Sequence, residues 1–560
     1  GLTITDATAH LTSSNDSLLL HNLDINSLNG SHIHGEFIIP QQTLYISIDK
    51  RLTAELSARV NKRDLVKFVE PEVYESLSMF NEEMFNAHIA MSGNVHNIGF
   101  DTITLQFPGI GTIEGKGCIK NILRQRKVNA DFAFNGNIEN IAKIMGYSNS
   151  NSNENNSVAI DGNIHYKNKR IDADMKMTGN AGNIGLEAGY NIADTTYKAD
   201  VRISQLALSA ILPDVPLHNL AMTLNAKGKG FDLFNGATRY EIQATVDTLD
   251  YSAYKFRALS ASATQENGVS LVDIKGNDNS LRFNIHADTR LKPVGLDNQT
   301  SIELAVADFK QLGLSEAELK TSTNIDITAA TDLNQTHSLK ITGRDTKIIT
   351  RQYSFTPAEL SFEFNTSPKN TDFKVTNGDL NANGKMDCGY TTFFASIDKV
   401  AQMYDRIISG SDQYNLRDIE RVLPQMNLHI ECSKNNMLHN YLAFNGIGTG
   451  SMNLDLNVSP MSGLYIKSDI YKLSSGSLEL DSIRITTVQE SDKLRYFMGI
   501  KNLSVTSFEE ENNYSAMLRG SISDYTVTAA LWLRDNIKEL DSKLGTTVHL
   551  APQGINMHFD

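Results

Sequence analysis

Cysteine, proline, tryptophan, basic tracts and long apolar runs are all scarce or missing here, and each shortage removes a class of protein. The 560 residues hold three cysteines, Cys118, Cys388 and Cys432. An odd number at wide spacings offers neither a disulfide framework nor a Cys-x-x-Cys metal knuckle. That scarcity suits a cytoplasmic protein and a bacterial envelope protein equally. No uninterrupted apolar run approaches the roughly 20 residues of a membrane-spanning helix. No signal peptide precedes the strand-like pattern that begins at once, so the sequence is expected to be an internal piece of a longer protein, with any anchor outside it. Lys and Arg number 51 against 65 Asp and Glu, a net charge of −14 with no basic tract. Nucleic acid is therefore a poor partner, because its phosphates demand clustered cations. Proline occurs 11 times, as long hydrogen-bonded ladders require. The one tryptophan, Trp532, with no G-H…W-D signature, argues against a propeller.

What remains is alternation. "AHIAMSGNVHNI" (87–98) returns as "ADFAFNGNIENI" (130–141) and "ADMKMTGNAGNI" (173–184), with Gly93, Gly136 and Gly179 spaced 43 residues apart. Each copy places apolar residues at every second position: Ala87, Ile89 and Met91; Ala130, Phe132 and Phe134; Ala173, Met175 and Met177. The frame then lapses. The same period-2 pattern continues along the chain and marks strands with one apolar face. It groups Val158, Ile160, Ile164 and Tyr166; Val201 and Ile203; Ile242 and Val246; Leu281, Phe283 and Ile285; Leu454, Leu456 and Val458; and Val527 with Leu531. Trp532 falls on the polar side. These residues are the candidate lining of an apolar face.

Gly, Asn, Asp, Ser and Lys clusters such as "KNKR" (167–170) and "QENG" (265–268) separate the strands and read as hairpin turns. At about 11 residues per strand and turn, of order 45 strands are expected. Three stretches break into helical period: 64–85, probed by Leu65, Phe68, Val69, Val73, Leu77 and Phe80; "SQLALSAILP" (204–213); and 396–423, with Ile397, Val400, Ala401, Tyr404 and Ile408 on one stripe before Leu416, Ile419, Val422 and Leu423. Their stripes are expected to pack on the sheet. "SNSNSNENNS" (148–157) reads as a low-complexity loop. The expected organisation is a β-groove segment over 1–63, a helical insertion over 64–86, a repeated groove over 87–203, a short helix over 204–213, groove over 214–394, a two-helix insertion over 395–424 and groove over 425–560.

Period-2 strands commonly make a sandwich, in which two sheets bury their apolar faces against each other. The alternative is a mostly β, elongated, curled sheet whose apolar interior is filled by something else. The mixed Ala, Met, Ile, Val, Phe and Tyr lining favours the second, since Met and Phe adapt to ligands of varied shape. The repeated A-D-[FM]-x-[FM]-x-G-N strands resemble the TamB-like and AsmA-like envelope proteins of diderm bacteria, of the Bacteroidetes type. So do the insert "IDKVAQMYDRIIS" (397–409) and the end "FEEENNYSAMLRGSISDYTVTAALWLRDNIKELDSKLGTTVHL" (508–550). The resemblance implies an internal fragment of a periplasmic β-groove, anchored in the inner membrane through a missing N-terminal part and reaching an outer-membrane barrel of the Omp85 type. It implies a bridge-like transfer protein that carries phospholipid acyl chains between the membranes. The alternative is an assembly or chaperone scaffold for outer-membrane β-barrels.

Motifs that would suggest chemistry do not hold together. "DLNANGKMDCGY" (379–390) starts like a calcium loop but has Tyr390 where a bidentate Glu belongs. "GIGTIEG" (109–115) and "GIGTGS" (446–451) lack phosphate-loop spacing and read as turns. His32 and His34 share a strand face without a third ligand nearby. His286 and Asp288 share an outer face without a nucleophile motif. No enzyme activity, cofactor or metal is expected.

Overall fold

The computed structural model describes residues 3–42, 45–46, 50–67, 84–107, 109–124, 127–139, 157–210, 215–408, 418, 421–459, 463–506, 511–523, 526–551 and 554–559. The fold is mostly β, with 35 strands among the described residues. That is fewer than the 45 expected, because many run to 13 residues, as Leu217–Lys229 does. The chain divides into two compact units, Gly1–Asn279 with Gln311–Gly313, and Ser280–Lys310 with Leu314–Asp560. Each is an open antiparallel meander: apart from the two-residue strands Tyr45–Ile46, Ser354–Phe355 and Ile447–Gly448, which the ladder bypasses, strands hydrogen-bond to their neighbours in sequence, with an apolar face and a polar face. This is the β-groove architecture that the alternation predicted.

Short turns hold the meander. Asn168 and Lys169 both take positive φ (51° and 64°), as do Asn267 and Gly268 (52° and 75°). These are the two-residue turns whose twist matches that of the strands they join. At Asn94 the side-chain oxygen accepts from the amides of His96 (3.0 Å) and Asn97 (2.9 Å), closing the hairpin after Met84–Gly93. The recurring phrase is thus a strand and turn in its first copy, and again in the third, where Arg170–Gly179 ends and Gly182–Asn191 begins. The second copy differs: the strand Asn129–Ile138 runs on through Gly136 and Asn137. Three pairings separate the first copy from the second, and two separate the second from the third. The 43-residue spacing is therefore a sequence period without a matching structural one.

The helical expectations are partly revised. In the first insertion a 3-10 helix covers Lys62–Lys67 and a strand resumes at Met84, while 68–83, with most of the predicted stripe, lies outside the described residues. Residues 204–206 of the second belong to the strand Thr196–Leu206; Leu208–Ala210 makes one 3-10 turn, and 211–214 is not described. The third is a helix, α1, spanning Tyr390–Ile408 and beginning five residues before the predicted boundary. Its partner lies mainly outside the described residues, as does 148–156. α1 does not bury its predicted stripe: Tyr404 (60 % exposed), Ile397 and Ala401 face solvent, and Val400 is half-buried. A second helix, α2, Met437–Phe444, had no counterpart in the periodicity. Asn436 caps it by accepting from the His439 amide, and Asn377 accepts from the Met437 amide. Among the described residues no helix is long and apolar enough to cross a membrane.

One buried carboxylate fixes a rim of the first unit. Asp64, 3 % exposed, accepts from Ser27 Oγ, Ser31 Oγ and Asn29 Nδ2, each at 2.6 Å. Burial pushes its carboxyl up, but the three hydrogen bonds outweigh that and hold it below the usual carboxylate range. A lowered folded-state pKa gives stabilisation that is complete above the unfolded value, about 3.9, and is lost as pH falls through the folded one. Asp64→Ala is expected to cost about 2 kcal/mol at neutral pH by stranding three donors. Amide exchange in His32–Gln42 and Leu52–Asn61 should quicken, and the difference from wild type should shrink below about pH 4.

Candidate functional site

Directly opposed residues in an antiparallel ladder project on the same face. Following register partners from strand to strand therefore traces what a ligand lying on that face would touch. In the first unit one such path runs Leu23, Gly35, Leu56, Ile89, Ile103, Gly115, Phe134, Gly162, Met175, Leu186, Val201, Leu224, Ala244, Ala261, Ile274. It crosses fifteen strands without a polar side chain, or about 65 Å at 4.8 Å per strand.

Two parallel paths flank it. One carries Ala87, Ile160, Met177, Ile203 and Val246; the other carries Met91, Phe132, Ile164, Ala173 and Ile242. The predicted lining residues of this unit thus fall into adjacent apolar tracks. Val158 stands one row farther toward the rim that holds Ser157, opposite Ile138 and Gly179. Sequence reasoning missed the glycines. A Cβ on Gly162 would stand 2.5 Å from Phe134 Cζ, and one on Gly117 would collide with the Phe132 ring. Each phenyl ring lies over a glycine of the neighbouring strand.

Toward the opposite rim the tracks end in tyrosines. Ala130 pairs with Tyr166, and onward partners are Ile171, Tyr190, Tyr197, Gly228, Tyr240 and Gln265. Tyr240 and Ser270 hydroxyls meet at 2.9 Å, Phe231 stacks on Tyr197 at 4.9 Å, and Gln265 Nε2 donates to the Leu233 carbonyl. This row is apolar in its rings and polar at its tips.

The second unit repeats the scheme with interruptions. Ala287, Thr300, Ile327, Ile341, Phe362, Val375, Ala382, Ile430, Leu454, Ser468, Ile485, Met498, Leu518, Leu531 and Leu544 form one path, with two hydroxyls in it. Leu281 faces Ala307, Phe283 faces Leu304 and Ile285 faces Ile302. Leu456 sits between Leu428 and Ile466, Val458 between Met426 and Leu464, and Val527 between Ile522 and Val548.

Little of this face is sealed. Among the described residues only eleven apolar side chains are buried, and of the predicted lining they include just Val158 and Val458. Most of the rest stay half-buried, and Ile164 is 40 % exposed. Two sheets packed at about 10 Å would bury such rows fully. The polar face carries partners typical of a solvated surface. Arg170 meets Asp172 at 2.8 Å, Lys227 meets Glu241 at 2.7 Å and His165 meets Asp131 at 2.8 Å. Exposed pairs of this kind contribute little to stability.

The chemical motifs resolve into structure. Asp379 accepts from the amides of Ser433 and Asn435 and from Asn436 Nδ2, positioning α2. Gly109 and Gly446 take positive φ in turns. His34 faces Ser57, which in turn faces His88 and binds its Nδ1 at 3.0 Å. Even so, no metal-type cluster of three or more His, Cys, Asp or Glu occurs among the described residues. No family model matches the chain, and no curated protein matches it either.

Proposed function

We propose that the chain is a section of a periplasmic, bridge-like lipid transfer protein. Acyl chains lie along the apolar tracks and head groups sit at the tyrosine rim. The observation that carries this reading is a fifteen-strand apolar track whose side chains remain half-exposed. Such a surface is an aggregation hazard unless it has a greasy occupant. The adaptable Met and Phe side chains suit chains of varied length and unsaturation. Transport then needs no bond-making residue, only continuity of the track. Phospholipid moving between the inner and outer membranes is the cargo this reading assigns, in keeping with the TamB-like pattern of the strands.

Native mass spectrometry of the purified chain tests it. Co-purifying phospholipid, displaced by added phospholipid of a different chain length, is the expected result. Protein that emerges free of lipid, takes up none from phosphatidylethanolamine vesicles and instead captures unfolded barrel protein would replace transfer with the scaffold reading.

A further inference from the structure

We propose that the polar face of the second unit holds a binding site for phosphate-bearing anions, beside Trp532. The site is independent of the lipid reading, because it lies on the side of the sheet opposite the apolar tracks. A hollow of about 910 Å³ opens there. Register explains its form. Phe497, Arg519, Ala530 and Gly545 stand in one row, and Arg495, Ser521, Thr528 and Thr547 in the next. Small residues make the floor, while Phe497 and the long cationic side chains make the walls.

Four cations line the hollow: Lys493, Arg495, Arg519 and Lys543. The lining has one carboxylate, Glu490, which lies 2.9 Å from Arg495. Arg519 Cζ sits 4.4 Å from the Trp532 ring centroid and Lys543 Nζ 5.4 Å from it. Among the described residues neither of these two, nor Lys493, has a carboxylate within ion-pair distance. Two more acids lie near: Asp541 stands opposite Arg534, and Asp492 is in the turn beside Lys493. The chain as a whole carries −14, so this excess of positive charge runs against its composition.

The chemistry selects the ligand. Like charges gathered in one hollow repel, and a multivalent anion relieves that repulsion. Cation–π contact fixes the Arg519 guanidinium over the indole and leaves its N–H edge to donate. A planar fork of that kind matches phosphate oxygens, and lysines supply further charge. The volume suits a small ligand or a head group. A soluble phosphate ester and a phospholipid head group share this chemistry.

Trp532 is the chain's one tryptophan and touches two of the lining cations, so intrinsic fluorescence reports on the site through Arg519 and Lys543. Sodium tripolyphosphate is expected to change the emission saturably, with affinity falling as salt rises. Arg519→Gln with Lys543→Gln should weaken binding at least tenfold, and Lys493→Gln, at a half-buried strand end with no carboxylate partner among the described residues, several-fold. Vesicles of phosphatidylglycerol against phosphatidylcholine form the second arm. A response to tripolyphosphate assigns a soluble ligand, and a response to phosphatidylglycerol vesicles alone assigns a head group. No saturable response to either probe, or a response unchanged in the double variant and in Lys493→Gln, overturns the proposal.

Discussion

Phe132→Asp is expected to slow phospholipid transfer between vesicles by about 10- to 100-fold. A carboxylate among hydrocarbon chains costs about 3 kcal/mol at a bilayer centre, and partial escape of the charge to water reduces that. Phe132 is well placed to impose this barrier. Its neighbours across the strands are Gly117 and Ile164, and its ring lies 5.5 Å from Phe100. The fold should tolerate the change better than cargo does. A half-buried phenyl contributes about 1–2 kcal/mol of transfer energy, and each strand of a meander is held by two neighbours. Phe283→Asp makes the same test in the second unit. Asn284→Asp, next to it on the polar face, is the control: Asn284 Nδ2 reaches Glu303 at 3.3 Å, and a second carboxylate there should cost less than about 1 kcal/mol. Transfer by Phe132→Asp and Phe283→Asp at the wild-type rate would remove the continuous track as the mechanism. Phe132→Leu should transfer normally, which separates charge from shape.

Which residues share a face was legible in the sequence because alternation is a local property of each strand. Leu281, Phe283 and Ile285 needed nothing beyond their own spacing. How the faces line up was not legible. Phe100 pairs with Gly117, yet Ile103, three residues on, pairs with Gly115. That irregularity keeps both on the apolar face, and alternation alone cannot place it. Glycines were invisible for a related reason: hydropathy scores Gly117 and Gly162 as gaps, whereas in the sheet they are the floor beneath aromatic rings. A Gly two residues from another Gly in a strand facing alternate phenylalanines, as in "GKG" at 115–117, was the available signal. The start of α1, "YTTFF", is rich in β-branched and aromatic residues and reads as strand. α2, at eight residues, is too short for its period to register, and side-chain contacts from Asp379 and Asn377 hold it in place. The neighbours of Trp532 were hidden as well, since Arg519 and Lys543 come from the strands on either side of it.

Gly162→Val should disturb the fold more than any charge on the polar face. A Cβ there would lie 2.5 Å from Phe134 Cζ and 2.8 Å from the Asp174 carbonyl oxygen. The phenyl ring can swing aside, but a ladder carbonyl cannot, so the two strands must separate locally. Overpacking of this kind costs about 1–3 kcal/mol. The penalty should stay local, because a meander passes strain only from strand to strand. Amide exchange is therefore the measurement. Protection is expected to fall by about tenfold or more in Asn129–Ile138, Val158–Lys167 and Arg170–Gly179, and to hold in Arg239–Tyr251, whose partners are several strands away. Pairing the change with Phe134→Ala gives the ring's share: if the phenyl is the main obstacle, the double variant recovers most of the protection, and if the Asp174 carbonyl dominates, it recovers little. The same pair of variants probes cargo. Removing the Phe134 ring leaves an apolar wall, so lipid should still bind, whereas a valine that forces the strands apart should break the track where it crosses from Phe134 to Met175. Loss of transfer in Gly162→Val with recovery in the double variant would tie the seating of one ring on one glycine to the continuity on which the proposed transfer depends.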